Sequence, residues 1–138
     1  MNLSLDTNVV IEFVRNRNPI VRDRYLAALA AGDRLMISLV VLYELEVGAE
    51  RHHDRDAERQ RVQFAVSRMQ VAPFDELDMT MAARLRVRLE RRGRAIGPYD
   101  TLIAGQAMAR DWTLVTANRP EFGRIEGLNV IDWTIPAD

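Results

Sequence analysis

"LSLDTNVVIEF", residues 3–13, is the stretch on which the fold turns. It opens on a short hydrophobic stretch around Leu3 and Leu5 that reads as a buried strand, and "TNVVIEFVRN" (7–16) carries apolar residues at helical spacing. Asp6 stands between the two, just past the C-terminal end of the strand. In parallel α/β sheets that rim is where ligands bind. The same position also suits a carboxylate as the N-cap of the helix that follows, so Asp6 has a structural as well as a functional reading.

Working outward, strand and helix patterns alternate. Pro19 opens a second helix, "PIVRDRYLAALAAG", which Gly32 closes, and "RLMIS" (34–38) follows as a strand. Ser38 is the candidate N-cap of a helix reaching about Arg51, and the polar "HHDRDAERQR" leads into another helix that the pattern carries to about Met69. "MQVAPF" is a short strand, "DELDMTMAARLRVRLERRG" a long amphipathic helix ended by Gly93, and "RAIGPY" a loop into the helix "PYDTLIAGQAMARD". "WTLVT" and "LNVID" complete the strands. The expected fold is α/β: one domain over residues 1–138, with a central parallel sheet of about four to five strands and helices on both faces.

Composition agrees with one such domain and removes several chemistries. The chain has 138 residues, of which 48% are hydrophobic, enough for a core without staples. It contains no cysteine, which excludes disulfides, thiolate zinc sites and a thiol nucleophile. The start, "MNL", lacks the features of a signal peptide, and no apolar run is long enough for a bilayer, so a soluble cytoplasmic protein is expected. The formal net charge of −1 gives no overall basic footprint for nucleic acid. Locally, "RVRLERRGR" (86–94) concentrates positive charge, and all 19 basic residues are Arg. Such a run reads first as a solvated helix face and second as a phosphate contact. His52 and His53, adjacent on a polar helix end, are expected to diverge into solvent.

Three more acidic positions join Asp6. Glu44 lies in "SLVVLYELEVG", where its helical neighbours are Val40, Val41, Val47 and Gly48. A carboxylate on such an apolar face needs a cation, a hydrogen-bond network or a cleft, unless it is solvated as Glu46 is. Asp100 follows Pro98 and Tyr99 at a helix start, where an acid is also favoured by the helix dipole. In "LVTANRPEF", Thr116, Asn118 and Glu121 directly follow a buried strand, again at a sheet rim. Carboxylates converging in a parallel α/β architecture suit a hard divalent cation, Mg²⁺ or Mn²⁺, with chemistry on phosphates in which an activated water is the nucleophile.

These segments together resemble the PIN-domain nucleases, and within them the VapC-type toxins of bacterial toxin–antitoxin pairs. "LDTNVVIEF" is similar to the family's opening strand and first acid, "ISLVVLYELEVGAE" to its second motif, and "GPYDTLIAGQAMARDWTLVTANRPEFGRIEGLNVIDW" to its third and fourth motifs and terminal strand. The resemblance implies that Asp6, Glu44 and Asp100 bind the metal and that Thr7, Asn8 and Thr116 orient carboxylates or water. Where many relatives carry Asp, this chain has Asn118, leaving Glu121 as the acid of that turn. It further implies a ribonuclease that uses Mg²⁺ or Mn²⁺ to cut RNA, tRNA included, leaves a 3′-hydroxyl and a 5′-phosphate, and inhibits translation. A homodimer held inactive by a small VapB-type antitoxin is implied as well. The helix from Pro19 to Ala31 and the segment Asp54–Met69 are the candidate partner surfaces.

Competing readings fare differently. A phosphotransfer receiver requires a Lys, and the chain has none; a haloacid-dehalogenase-type phosphatase requires Asp at position 8, which is Asn. A catalytically weak or inactive PIN-fold module that binds RNA or serves as a scaffold is compatible with Asn118, and metal-dependent RNA cleavage separates it from the nuclease.

Overall fold

In the computed structural model, which describes residues 1–137, five strands are separated by one or two helices each, seven helices in all among the described residues. The order is β1 (Asn2–Leu5), α1 (Thr7–Arg15), α2 (Pro19–Ala30), β2 (Arg34–Ser38), α3 (Leu39–Arg51), α4 (Arg55–Ala65), β3 (Gln70–Ala72), α5 (Glu76–Arg91), α6 (Pro98–Ala109), β4 (Thr113–Val115), α7 (Arg119–Phe122) and β5 (Val130–Ile131). All strand pairs are parallel, in the order β3-β2-β1-β4-β5. The chain first travels outward from β1 to β3, then returns to lay β4 on the other side of β1. Right-handed crossovers place the connections of the two halves on opposite faces of the sheet. β1 and β4 therefore flank the point where strand order reverses, and the crevice at their carboxyl ends is the natural ligand position.

The core is built from the apolar strands and one stripe of each major helix. Leu3, Leu5, Ile37, Leu114 and Val115 from the sheet pack with Val10, Val41, Leu45, Leu85 and Ile103 from the helices, all nearly inaccessible. α5 and α6 approach especially closely. A Cβ on Gly105 would lie 2.5 Å from the Cα of Ala82, so only glycine lets the two backbones meet at this point. No helix among the described residues is long and apolar enough to cross a membrane.

Local signals act as the sequence indicates at most helix ends. Asp6, Asn18, Ser38, Asp54 and Asp75 each accept a backbone N–H at the start of a helix. Gly32, at φ +81°, turns the chain out of α2, with the Asp33 amide donating to the Ala28 carbonyl. Three expectations need correction. α4 ends at Ala65 rather than near Met69, because Val66–Arg68 turn and the Ser67 hydroxyl donates to the Phe64 carbonyl at 2.8 Å. The terminal strand is only Val130–Ile131. His52 and His53 do not diverge: the chain has left the helix at His52, with ψ 146°, so the 100° helical rotation no longer separates them and their rings stack at 4.3 Å.

Candidate active site

The site begins one residue past β1. Asp6 is buried, and both of its oxygens are engaged. Oδ1 accepts the Thr7 backbone N–H at 2.8 Å, the capping bond of α1, and Oδ2 accepts the Thr116 hydroxyl at 2.8 Å from the end of β4. The Asp6 amide donates to the Val115 carbonyl at 2.9 Å, joining the ends of the two strands. Capping and cleft-facing roles thus coexist in one side chain. Burial pushes the Asp6 carboxyl above its ordinary value and nearby Glu44 pushes the same way, while the bonds from Thr116 and Thr7 oppose them.

Glu44 arrives from α3. The buried stripe of that helix is Val41, Leu45 and Ala49, and Glu44 stands half-buried at its border instead of on a fully apolar face. Its partner is the Thr7 hydroxyl, which donates to Oε1 at 2.7 Å. The two hydroxyls, Thr7 and Thr116, thereby each hold one carboxylate. Asn8 is exposed and makes no side-chain hydrogen bond among the described residues.

Asp100 comes from the first turn of α6, whose N-cap, Gly97, offers no side chain. Its carboxyl is pushed up to about 6, first by burial, then by the charges of Asp6, Glu121 and Glu44, and by hydrogen bonding with Glu121. The helix start therefore does not account for Asp100, since a dipole would lower the value. The excess negative charge comes from four acids of four different segments facing one crevice.

Glu121 sits on α7, a single turn that begins directly after the strand-end residues. Asn118, at the N-cap position of α7, uses its side chain not as a cap but to donate from Nδ2 to Glu121 Oε2 at 3.2 Å, and its own amide donates to Thr116 Oγ1 at 3.0 Å. A chain of bonds thus runs from Asp6 through Thr116 and Asn118 to Glu121. Glu121 forms no ion pair with Arg119 or Arg124 among the described residues, and Arg124 turns instead to the Pro120 carbonyl.

The donor set consists of carboxylate and hydroxyl oxygens, with a surplus of negative charge, and it fits a hard divalent cation by chemistry. Among the described residues no three acidic or imidazole groups already enclose a common point at ligand distance. Each carboxylate stands instead on its own hydroxyl, amide or carboxyl neighbour.

A second acid cluster escaped the sequence reading. Asp78 is fully buried on α5 and is met by Arg110, which donates from Nε to Oδ1 at 3.1 Å and from Nη2 to Oδ2 at 2.8 Å, and by Gln106 at 3.1 Å. Burial pushes its carboxyl up, but the bonds and charge of Arg110, the Asp75 amide and Gln106 outweigh this and hold it below the ordinary value. In the sequence Asp78 reads only as the third residue of a capping box with Asp75, a bond pair the structure contains. This paired acid ties α5 to α6, in contrast to the unpaired acids of the crevice.

The fold and crevice have known counterparts. The PIN domain family matches residues 3–128, and the chain belongs to it. The tRNA(fMet)-specific endonuclease VapC of Shigella flexneri is 37% identical over 97% of this chain and 99% of its own length, and Ribonuclease VapC2 of Rickettsia felis is 33% identical over 94% and 96%. The structure of VapBC2 from Rickettsia felis bound to a promoter DNA fragment superposes with a TM-score of 0.90 at 31% identity, covering 96% of this chain and 99% of that one. DNA-bound VapBC from Salmonella typhimurium gives 0.89 at 34% identity, over 96% and 98%. Within the PIN domains, the VapC ribonucleases are thus the group this chain resembles along nearly its whole length.

Proposed function

We propose that this chain is the ribonuclease toxin of a toxin–antitoxin pair, a Mg²⁺- or Mn²⁺-dependent endoribonuclease that cuts RNA and inhibits translation. The observation that supports it is the convergence of Asp6, Glu44, Asp100 and Glu121 on the crevice at the β1–β4 switch point. Asp6, Glu44 and Asp100 would hold the ion, with Glu121 beside them. When bound, the ion supplies Lewis acidity toward a phosphodiester and toward a water. The chain's own residues supply orientation: Thr116 and the Thr7 amide hold Asp6, the Thr7 hydroxyl holds Glu44, and Asn118 holds Glu121. Asp100, proton-bearing below about pH 6, must release its proton to serve as an anionic ligand. The relatives named for tRNA(fMet) make tRNA the substrate class of this proposal.

The partner reading rests on a second surface. α1, α2 and α4 border a groove of about 680 Å³ lined by Phe13, Tyr25, Leu26 and Phe64, with Phe64 83% and Leu26 53% exposed. The helix from Pro19 and the segment from Asp54 thus contribute to one apolar groove, in a chain similar to the toxin subunits of VapBC complexes. A VapB-type antitoxin segment is the proposed occupant, and homodimerisation of the chain is part of the same reading.

Purified protein incubated with total RNA should cleave it only when Mg²⁺ or Mn²⁺ is supplied, and Asp100→Asn should lose that cleavage with the fold intact. Retention of RNA binding with no cleavage at any metal concentration would instead identify a non-catalytic PIN module.

A further inference from the structure

Two of the site acids are preceded in sequence by a tyrosine, as Tyr43-Glu44 on α3 and Tyr99-Asp100 on α6. The helices are distant in sequence, yet the two rings meet with centroids 5.7 Å apart and planes tilted by 55°. Both side chains keep large solvent-facing surfaces, 52% exposed for Tyr43 and 43% for Tyr99. Each ring is exposed while the acid beside it is half-buried, about 100° around the same helix, and Tyr99 feels the charge of Glu44. The pair forms an aromatic lip at the mouth of the acidic crevice.

The carboxylates offer a polyanion no attraction of their own, so part of the affinity for RNA has to come from groups beside them. Stacking of bases on aromatic rings meets that need, and it tolerates every base because each has a π face. An exposed ring pair that stabilises no core and borders the carboxylates is placed for that use. Covering it with an apolar protein face would desolvate Glu44 and Asp100 as well, at considerable cost, whereas a nucleotide base is narrow enough to leave them facing the phosphate.

We propose that Tyr43 and Tyr99 form a stacking platform for a nucleobase next to the scissile phosphate of single-stranded RNA, and so position the substrate. The inference rests on the ribonuclease reading above.

The test uses the full-length protein and a single-stranded oligoribonucleotide that spans a cleavage site mapped first on total RNA. Tyr43→Ala and Tyr99→Ala should each raise KM at least about fivefold with kcat changed less than about twofold. Tyr43→Phe and Tyr99→Phe, which keep the ring, should retain the wild-type KM. An abasic nucleotide beside the scissile phosphate should raise the wild-type KM by a similar factor and remove the further effect of the alanine substitutions. Alanine variants with unchanged KM, or phenylalanine variants as impaired as alanine, overturn the platform while leaving the nuclease intact. A loss of mass in sedimentation that parallels the loss of activity would assign the lip to contact between copies and also overturn it. Failure of the wild-type protein to cleave any RNA removes the ribonuclease reading, and the platform with it.

Discussion

Asp100, half-buried, and Asp78, fully buried, are both helical carboxylates, and their neighbours drive them in opposite directions. Asp100 faces other acids and protonates near pH 6, against about 3.8 when unfolded. Between these values the folded chain binds more protons than the unfolded one, so the contribution of Asp100 to stability falls as pH rises from about 3.8 to about 6. In thermal unfolding with EDTA, Asp100→Asn should therefore melt higher than wild type at pH 7.5, and the gap should close toward pH 4. Asp78 is held below its ordinary value, so the stability it lends is present above about 3.8 and is lost as pH falls through its lower folded value. Arg110→Ala, which strands the buried Asp78 carboxylate, should cost up to about 3–5 kcal/mol in denaturant unfolding. At the last site position, Glu121→Gln should raise the Mg²⁺ concentration needed for half-maximal cleavage. Asn118→Ala should move the same titration in the same direction by less, because Asn118 acts on the site only through its single side-chain hydrogen bond to Glu121. Asp6 and Asp100 each suit an ordinary helix start, and Glu44 could be a solvated helix residue, so Asp6, Glu44 and Asp100 could be singled out in the sequence only together, by their shared placement in a parallel α/β plan and by the resemblance to the PIN domains. Asp78 could not, since its placement satisfies an ordinary capping pattern and its burial depends on Arg110, 32 residues away.

Strands and long helices were legible because each buries one face or both, and that leaves a period in the sequence. α7 was not: four residues hold barely one turn, too short for any period, and Asn118 precedes it without capping it. The early end of α4 was hidden for a related reason, since its last turn is closed by a serine hydroxyl on a backbone carbonyl and not by a glycine. The close passage of α5 and α6 was only half visible. Small residues in "IAGQAMA" suggest close approach of this helix to the sheet, whereas the tightest approach, at Gly105, is to Ala82 on α5. Gly105→Ala forces a Cβ against the backbone of Ala82 and should destabilise the protein by about 1–3 kcal/mol, measured by chemical denaturation. Ala82→Gly should return little of that loss, because the obstructing atoms include Ala82 Cα and N.

The α1–α2–α4 groove and the acidic crevice are lined by different side chains and can be tested independently. Phe64, with most of its ring in water on the α1–α2–α4 groove, contributes little to the core. Phe64→Glu should leave the melting temperature and RNA cleavage close to wild type, and abolish copurification with the product of an adjacent antitoxin gene. Retained copurification would place the partner elsewhere on the chain. The parallel α/β plan was readable from the alternation of strand and helix, whereas the strand order was not, because periodicity says which face is buried and nothing about which strand lies beside which.

That order has a consequence for the timing of synthesis. The crevice is bounded by β1 and β4, and Asp6 receives its hydroxyl from Thr116, 110 residues further along. A nascent chain released or stalled before Thr113 lacks one wall of the crevice, and no local rearrangement of the amino-terminal part can supply it. Whatever chemistry the crevice performs is thus withheld until the final portion of the chain has emerged.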